Sequence, residues 1–344
     1  MRHIVSLVGT AILALIGSLT MAAAGGSPSM RMYFVDVEGG QATLIVSPSG
    51  ESLLIDTGWP GFDGRDADRI VKAVHAAGLK QIDYVLITHY HMDHVGGVPQ
   101  LAGRIHIGAF VDHGPNLEDS EDARRDYAAY EQVVAKAGRI VVKPGDGLPL
   151  KGLTVKVVSG AGETLAKPLP LAGEANSYCA TEPKPMADTT ENARSLGVLI
   201  TYGKFRVLDL GDLTKDQELK LACPNNLLGT VDLSVVTHHG YRASNAKALV
   251  WAVRPRVAIM DNGSHKGASP DAWETVHGSP GLEDLWQLHY AVEGGKDHNV
   301  AEPQIANVEG STDGNAIVVT AHANGQFEVE NTRNRFRKEY KNRE

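Results

Sequence analysis

A ten-residue segment at 88–97 constrains this chain most, because it concentrates metal-binding side chains directly after four apolar residues. It reads Thr-His-Tyr-His-Met-Asp-His-Val-Gly-Gly, and the preceding apolar run predicts a buried strand. Side chains two positions apart on an extended chain point the same way, so His89 and His91 can converge on one point. Asp93 and His94 follow as the chain turns, and they can face a second point close by.

Imidazole and carboxylate groups are the ligands that Zn²⁺ and similar ions prefer. A polar loop with chance histidines is the alternative interpretation of this segment. The spacing His-x-His-x-Asp-His at the end of a strand favours a metal site over that alternative.

The composition is that of a globular protein with one large core or two small ones. The chain has 344 residues, of which 42% are hydrophobic, and a formal net charge of -8. The acidic balance argues against broad electrostatic capture of nucleic acid. It does not exclude a phosphodiester that metal ions hold. We therefore expect a small-molecule or cell-envelope substrate.

Residues 1–24 have the layout of a secretory signal peptide. A basic start precedes an apolar stretch over 4–19, and small residues follow at 22–26. We expect cleavage near Ala24 and a mature protein that is secreted or periplasmic. An uncleaved membrane anchor is the alternative, although the stretch is short for a membrane span. No later segment approaches the length of a transmembrane helix.

The chain contains two cysteines, Cys179 and Cys223, and both lie outside the histidine-rich segment. In an oxidising compartment they can form a single disulfide. That bond would tie the long loop at 160–190 to the segment after Lys220. We expect the bond, and two free thiols on the folded protein are the alternative.

Strands and helices alternate along the chain, and the alternation runs twice. We predict strands at 32–37, 42–46, 52–55, 83–87, 109–111, 139–142, 153–158, 196–201, 206–210, 233–236, 256–260, 316–321 and 327–330. We predict helices at 66–77, 120–137, 214–221 and 244–252. This order favours an α/β fold, a four-layer αββα sandwich that forms a single domain over 30–332 with the site at the sheet edges.

Two segments fall outside this alternation. The stretch 160–192 is rich in Pro, Ala and Gly and shows no period, so we interpret it as a functional loop or a locally disordered segment. Residues 333–344 form a basic tail, which we expect to be a solvated end.

Further polar clusters follow predicted strands, where the sites of such folds collect. Asp56 ends an apolar run and could be a buried acceptor that orients a ligand histidine, with a simple turn aspartate as the alternative. Asp212 leaves another apolar run and is placed to bridge two cations, whereas Asp209 is embedded in the strand pattern.

Two more clusters contain histidines. His238 and His239 follow a predicted strand, and adjacent residues of an extended chain point to opposite sides. We therefore expect one of them to bind metal and the other to contact substrate or support a ligand. Asp112 and His113 follow another strand with a weaker pattern.

Together these residues predict a dinuclear site. One ion would take His89, His91 and a share of Asp212, and the other would take Asp93, His94, Asp212 and one histidine of the 238–239 pair. Two cations about 3.5–4 Å apart can share a hydroxide nucleophile and polarise the bond under attack. The chain has no Gly-x-Ser-x-Gly nucleophile elbow and no phosphate-binding Gly-rich loop.

Position alone places a few more residues near the predicted pocket. Arg65, Arg104 and Arg242 could recognise an anion, although scattered arginines are more often solvated surface. The segment 264–266 follows a predicted strand and could belong to the pocket rim.

The chain resembles the metallo-β-lactamase fold hydrolases in its histidine-rich segment, in Leu-Leu-Ile-Asp-Thr-Gly at 53–58, in Leu-Gly-Asp at 210–212 and in His-His-Gly at 238–240. It is similar to the ComEC/Rec2 metallo-hydrolase subgroup and its secreted relatives in Phe-Val-Asp-Val-Glu-Gly-Gly-Gln at 34–41 and Asn-Ala-Arg-Ser-Leu at 192–196. The resemblance implies an αββα fold and metal-dependent hydrolysis.

Carried over by position, the resemblance implies metal ligands at His89, His91, Asp93, His94, Asp212 and one of the 238–239 pair, where we favour His238. We expect Asp93, Asp212 and His239 to act in catalysis. A further histidine ligand of many relatives has no clear counterpart, so His113, Asp112 or no protein group would complete the first site. Glu38 and Gln41 also depart from the Gly and Asp expected in the ComEC-type opening.

The predicted function is a secreted or periplasmic hydrolase that uses a metal-bound hydroxide and two zinc ions, with manganese and iron as alternatives. The resemblance implies a phosphate ester or diester as substrate, and a lactone or β-lactam amide is the alternative. Outside hydrolysis, the alternatives are a metal-free member of the fold that binds a ligand or partner, and a di-iron redox centre.

Overall fold

The computed structural model describes residues 28–343, so the signal peptide expected at 1–24 lies outside the described residues. The strands are β1 (Ser29–Phe34), β2 (Thr43–Val46), β3 (Ser52–Ile55), β4 (Ile82–Leu86), β5 (Ile107–Asp112), β6 (Gly138–Val141), β7 (Gly147–Leu148), β8 (Thr154–Gly160), β9 (Glu163–Thr164), β10 (Gly197–Tyr202), β11 (Phe205–Asp209), β12 (Leu233–Val235), β13 (Val257–Met260), β14 (Asp284–His289), β15 (Ile305–Asn307), β16 (Ile317–His322), β17 (Phe327–Asn331) and β18 (Arg337–Tyr340). The α-helices are α1 (Arg65–Ala76), α2 (Met92–Val95), α3 (Val98–Ala102), α4 (Glu121–Val134), α5 (Lys215–Ala222), α6 (Lys247–Val253) and α7 (Pro270–His277).

The strands form two sheets. The order in the first is β18-β17-β16-β1-β2-β3-β4-β5-β6, and β3 to β6 run parallel. The order in the second is β15-β14-β13-β12-β11-β10-β8-β7, with β9 paired to β8, and β11 to β15 run parallel. Each sheet therefore joins an antiparallel half to a parallel half.

The two sheets pack face to face over one apolar core. Because successive strand residues point to opposite faces, β1 sends Met32 and Phe34 into this core and Tyr33 into the outer layer. Val157 and Val198 of the second sheet belong to the same core as Met32. The alternating apolar residues of both sheets thus fill the centre of the molecule.

Helices cover the outer faces of both sheets. Ile70 and Val74, one turn apart on α1, are buried with Leu44 against the first sheet, and α3 and α4 complete that layer. Leu221 of α5, Leu249 of α6 and, in a separate cluster, residues of α7 pack on the second sheet. The prediction of a four-layer αββα sandwich is confirmed.

The carboxyl ends of the parallel strands from both sheets meet at one edge. In the first sheet, β3 leads to Asp56 and β4 leads to the segment 88–94; in the second, β11 leads to Asp212 and β12 leads to the 238–239 pair. His94 and a histidine of that pair, His239, approach each other with their Nε2 atoms 3.2 Å apart. The two sheets therefore build one shared site at this edge.

The expectation that 333–344 is a solvated tail is wrong for the residues of β18. This strand pairs with β17, and Tyr340 is buried with its ring stacked on Phe327 at a centroid distance of 4.6 Å. Its hydroxyl donates to Asp284 at 2.7 Å. Charged residues are common on edge strands. The basic composition of this segment therefore gave no indication that Tyr340 faces inward.

Helix α7 and three strands after residue 260, which are β14, β15 and β18, were not predicted. Helix α7 begins at Pro270, a favoured first helical position, and buries Trp273 and Val276. Strand β14 carries the fully buried Trp286 and lies between β13 and β15. The Pro270 start and the apolar spacing after it were the available signals for α7.

The predicted disulfide between Cys179 and Cys223 is present. The surrounding loop packs on the outer helices, because Asn176 Nδ2 donates to the carbonyl oxygens of Ala222 and Ala248 at 2.9 and 2.8 Å. The long unpatterned stretch therefore supports α5 and α6. Within 28–343, none of the helices combines the length and the apolar character that crossing a membrane requires.

Candidate metal centre

Four buried side chains from both sheets bring their ligand atoms within 4.8 Å of one another: Asp93, His94, Asp212 and His239. His94 Nε2 lies 3.2 Å from Asp93 Oδ2 and 3.3 Å from Asp212 Oδ2. His239 Nε2 lies 3.3 Å from Asp93 Oδ2 and 3.4 Å from Asp212 Oδ1. Two imidazoles and two carboxylates that converge in this way could hold a divalent cation.

A second pair of imidazoles lies beside this group. His89 Nε2 and His91 Nδ1 are 3.1 Å apart, and His89 Nε2 lies 4.0 Å from Asp212 Oδ2. The two histidines converge as the strand geometry predicts for residues two apart. Asp212 belongs to the first group and also lies near His89. It is therefore placed to touch both of two neighbouring cations.

The backbone conformation of three residues lets the potential ligand atoms come close together. Asp56, His238 and His239 all have positive φ, at 59°, 57° and 53°, which is uncommon for residues other than glycine and concentrates at functional sites. Gly40 allows a close approach on the other side, because a Cβ there would lie 2.3 Å from the carbonyl oxygen of Asp93.

The donor set fits a divalent cation such as zinc. Asp212 Oδ1 is buried and has no hydrogen-bond donor among residues 28–343. A buried carboxylate oxygen without a partner costs free energy that a bound cation would recover. Burial raises the pKa of Asp212, but the imidazoles of His238 and His94 outweigh it and hold that pKa well below its usual range, so Asp212 is an anion.

The sequence of this chain also matches a known protein family. Residues 35–168, which include the histidine-rich segment, match the family described as the metallo-beta-lactamase superfamily. The chain carries a metallo-β-lactamase superfamily domain. The resemblance stated from the motifs is thereby confirmed.

Relatives that match more than half of this chain include two longer proteins. The chain is 26% identical over 268 residues to Recombination protein 2 of Haemophilus influenzae, a match that covers 77% of this chain and 28% of that protein. It is 25% identical over 246 residues to ComE operon protein 3 of Bacillus subtilis, covering 67% of this chain and 28% of that protein. The chain thus spans little more than a quarter of the length of either relative.

A third relative is a named hydrolase. Hydroxyacylglutathione hydrolase of Acidiphilium cryptum is 30% identical over 135 residues, which is 39% of this chain and 46% of that protein.

The preference for His238 over His239 as the last ligand does not agree with the geometry of this metallo-β-lactamase domain. His239 joins the four-residue group, whereas His238 Nε2 lies 3.3 Å from Asp212 Oδ2 and its Nδ1 lies 3.1 Å from Ser244 Oγ. The expectation assumed an extended chain, in which adjacent side chains point apart. Because both residues have positive φ, both imidazoles instead reach Asp212, each at a different oxygen.

His113 and Asp112 are not members of the four-residue group, and each has other partners. His113 Nε2 lies 3.1 Å from Glu191 Oε2, and both side chains are buried. Asp112 accepts from the hydroxyl of Tyr130 at 2.7 Å and from Arg139 Nε at 2.8 Å. Asp112 is thus satisfied by these partners, whereas Nδ1 of His113 is buried without a hydrogen bond among residues 28–343.

Carboxylates support three of the candidate ligand imidazoles from behind. Asp56 Oδ2 lies 2.7 Å from His94 Nδ1, which agrees with the interpretation of Asp56 as a buried orienting acceptor rather than a simple turn aspartate. Asp261 Oδ1 lies 3.3 Å from His239 Nδ1. Glu118 Oε2 lies 3.1 Å from His91 Nε2 and also accepts from the backbone N–H of Glu191 at 2.9 Å. Such partners fix the orientation of a ligand imidazole.

Lys266 adds a cation that the sequence placed only at the pocket rim. Its Nζ lies 2.5 Å from Asp93 Oδ2 and 2.6 Å from the carbonyl oxygen of Gly39. Burial raises the pKa of Asp93, but the imidazole of His94 and the Lys266 ammonium together hold that pKa well below its usual range. The spacing of 173 residues between the two partners left no local signal.

The two departures from the ComEC-type opening have structural partners. Gln41 Nε2 donates to Asp209 Oδ2 at 2.7 Å inside the protein, and burial raises the pKa of Asp209 to about 7. An aspartate at position 41 would present a second carboxylate there, whereas the amide supplies a donor. Glu38 Oε1 accepts from Arg69 Nη1 at 3.2 Å.

A second group of potential ligands, which comprises Asp36, Glu38 and His289, is already neutralised. Asp36 Oδ1 lies 2.7 Å from His289 Nε2, and Asp36 Oδ2 accepts from Arg69 Nη1 at 3.0 Å. The guanidinium occupies the place that a cation would take. This group joins the end of β1 to the end of β14 and thereby ties the two sheets together beside the candidate centre.

Proposed function

We propose that this chain is a metal-dependent hydrolase with two zinc ions. His89 and His91 would hold one ion, Asp93, His94 and His239 would hold the other, and Asp212 would contact both. The observation that carries the proposal is the convergence of four buried ligand side chains within 4.8 Å, beside the 3.1 Å pair of His89 and His91.

Bound zinc would lower the pKa of a coordinated water molecule to about 7, which would make a nucleophile available near neutral pH. The protein contributes the geometry and the charge. Asp212, with one oxygen facing His239 and the other facing His94, fixes the spacing of the two ligand sets. Asp56 holds the His94 ring so that its Nε2 faces the centre. The burial of these groups excludes bulk water from all but the open side.

A phosphate ester or diester is the substrate class that we propose. The open side of the centre presents the ammonium of Lys266, and Arg242 lines the adjoining cavity. Of the other two arginines named from the sequence, Arg65 pairs with Asp66 at 2.6 Å and Arg104 pairs with Asp68 at 2.6 Å. Lactone or β-lactam amide hydrolysis remains the alternative, because the fold does not fix the substrate.

We also propose that the protein works outside the cytoplasm. The leader-like sequence at 1–24 supports this location. The disulfide between Cys179 and Cys223 supports it independently, because such bonds persist in oxidising compartments.

The test is hydrolysis by the zinc-loaded protein of three chromogenic probes: bis(4-nitrophenyl) phosphate, a lactone and the β-lactam nitrocefin. We expect turnover of the diester that a chelator abolishes and that Asp212→Ala removes. Arg124→Ala, an exposed change on α4, is the matched control and should retain wild-type turnover. Turnover of the lactone or nitrocefin alone would favour the alternative, and no turnover by a zinc-loaded protein would favour a binding role.

A further inference from the structure

A cavity of about 380 Å³ opens directly beside the candidate centre. His238 and His239 form its inner wall, and its outer wall includes Tyr241, Arg242 and Lys266. The cavity thus joins residues of the candidate centre to two cationic side chains.

Lys266 is held with one donor unused. An ammonium carries three N–H donors. Two are taken, by Asp93 Oδ2 at 2.5 Å and by the carbonyl oxygen of Gly39 at 2.6 Å. The Trp59 ring lies 5.4 Å from Nζ and further restricts the side chain. About a third of the side chain is exposed, so the remaining donor is accessible.

Arg242 is a second cation on the same cavity. It makes no ion pair with any residue in 28–343, and its guanidinium lies 5.8 Å from the ring centroid of Tyr241. Contact with a ring face limits where the guanidinium can go while its N–H donors stay free.

His265 and Glu293 also line the cavity, and they face each other. His265 Nδ1 lies 2.8 Å from Glu293 Oε1, and both side chains are exposed. Lys266 is paired with Asp93 and contributes its unused donor, whereas Arg242 has no acidic partner among residues 28–343. Fixed ammonium and guanidinium groups that face one cleft favour an anionic oxygen as their partner.

We infer that this cavity is an oxyanion-binding subsite, in which Lys266 and Arg242 take the phosphate oxygens of a ligand. The inference deepens the proposed function, because it identifies the residues that would select an anionic ester over a neutral one. Lys266 stands next to the candidate ligand Asp93, while Arg242 touches no candidate ligand. The two residues can therefore be tested separately.

The test is calorimetric titration of inorganic phosphate into the zinc-loaded chain. Wild type is compared with Lys266→Met and Arg242→Met, and Lys151→Met is the control, because Lys151 is an exposed lysine outside the cavity. We expect the dissociation constant to rise about tenfold in each cavity variant, which corresponds to about 1.4 kcal/mol, and to stay unchanged in the control. The zinc content of every protein is measured alongside. If Lys266→Met loses zinc, Arg242→Met alone decides.

Wild-type phosphate affinity in a cavity variant that retains its zinc overturns the inference. A parallel assay uses bis(4-nitrophenyl) phosphate and the neutral 4-nitrophenyl acetate, which share a leaving group. If the cavity binds oxyanions, the cavity variants should show a higher KM for the anionic ester and an unchanged KM for the neutral one. Phosphate binding that depends on both cations without any ester hydrolysis would contradict the proposed function and leave the subsite standing. Ester hydrolysis together with phosphate binding that is unchanged in both cavity variants would contradict the subsite and leave the proposed function standing.

Discussion

Asp56 Oδ2 lies 2.7 Å from Nδ1 of His94, on the opposite ring nitrogen from the one that faces Asp212. A carboxylate that accepts from Nδ1–H leaves the lone pair of Nε2 free for a cation. Asp56 is itself fixed, because it also accepts from the backbone N–H and the hydroxyl of Thr88. The first and second strands of the parallel half thus cooperate to aim one imidazole.

Asp56→Asn should weaken zinc binding about 10- to 100-fold, because the amide is a poorer acceptor for the imidazole N–H. The measurement is competition for zinc with a chelator of known affinity. Asp63→Asn, which changes an exposed carboxylate, is the matched control and should bind zinc as the wild type does. Equal zinc affinity in Asp56→Asn and wild type would show that the 2.7 Å contact does not orient the ligand.

The two adjacent histidines should differ in their effect on metal content. His239→Ala removes a member of the four-residue group and should cost about one zinc per chain. His238→Ala removes a side chain that reaches Asp212 from outside that group and should retain more zinc. Elemental analysis of both variants decides the order, and a greater loss in His238→Ala would restore the preference drawn from the sequence.

Glu118→Gln should weaken the His89–His91 site selectively. Glu118 Oε2 faces His91 Nε2 at 3.1 Å, so removal of its charge frees the ring from its orienting partner. We expect about 10- to 100-fold lower affinity for one zinc and little change for the other. Chelator competition resolves the two sites, and Glu121→Gln, an exposed change nearby on α4, is the control. A uniform loss at both sites would contradict this assignment.

Tyr340→Ala should destabilise the fold by about 3–5 kcal/mol, as large-to-small changes of buried aromatics do. It removes the stack on Phe327 and the hydrogen bond to Asp284. The free energy of unfolding in denaturant measures the effect, with the exposed neighbour Lys341→Ala as the control. A change of less than about 0.5 kcal/mol, typical of surface positions, would mean that the tail is solvated in solution.

The sequence predicted the fold and the ligand-bearing strand ends because those features are local. A buried strand followed by His-x-His-x-Asp-His is visible in ten residues, and so is the Asp56 turn. The choice between His238 and His239 was not visible, because it depends on positive φ at both positions rather than on an extended chain.

Long-range partners were beyond the reach of the pattern. Glu118 meets His91 across 27 residues, and Lys266 meets Asp93 across 173. Their positions are set by the packing of the two sheets and not by any local period. His113 resembled a ligand in the sequence because it follows a strand, but its Nε2 faces Glu191, which is 78 residues away.

The most direct test of the metal centre is zinc stoichiometry by elemental analysis on the protein purified without chelator. Wild type and Asp93→Ala are measured side by side. We expect about two zinc ions per wild-type chain and a clear loss of zinc in Asp93→Ala. The Asp93 carboxylate lies 3.2 Å from His94 Nε2 and 3.3 Å from His239 Nε2. A wild-type protein that holds no metal, and binds none when zinc is added, would contradict the proposed metal centre.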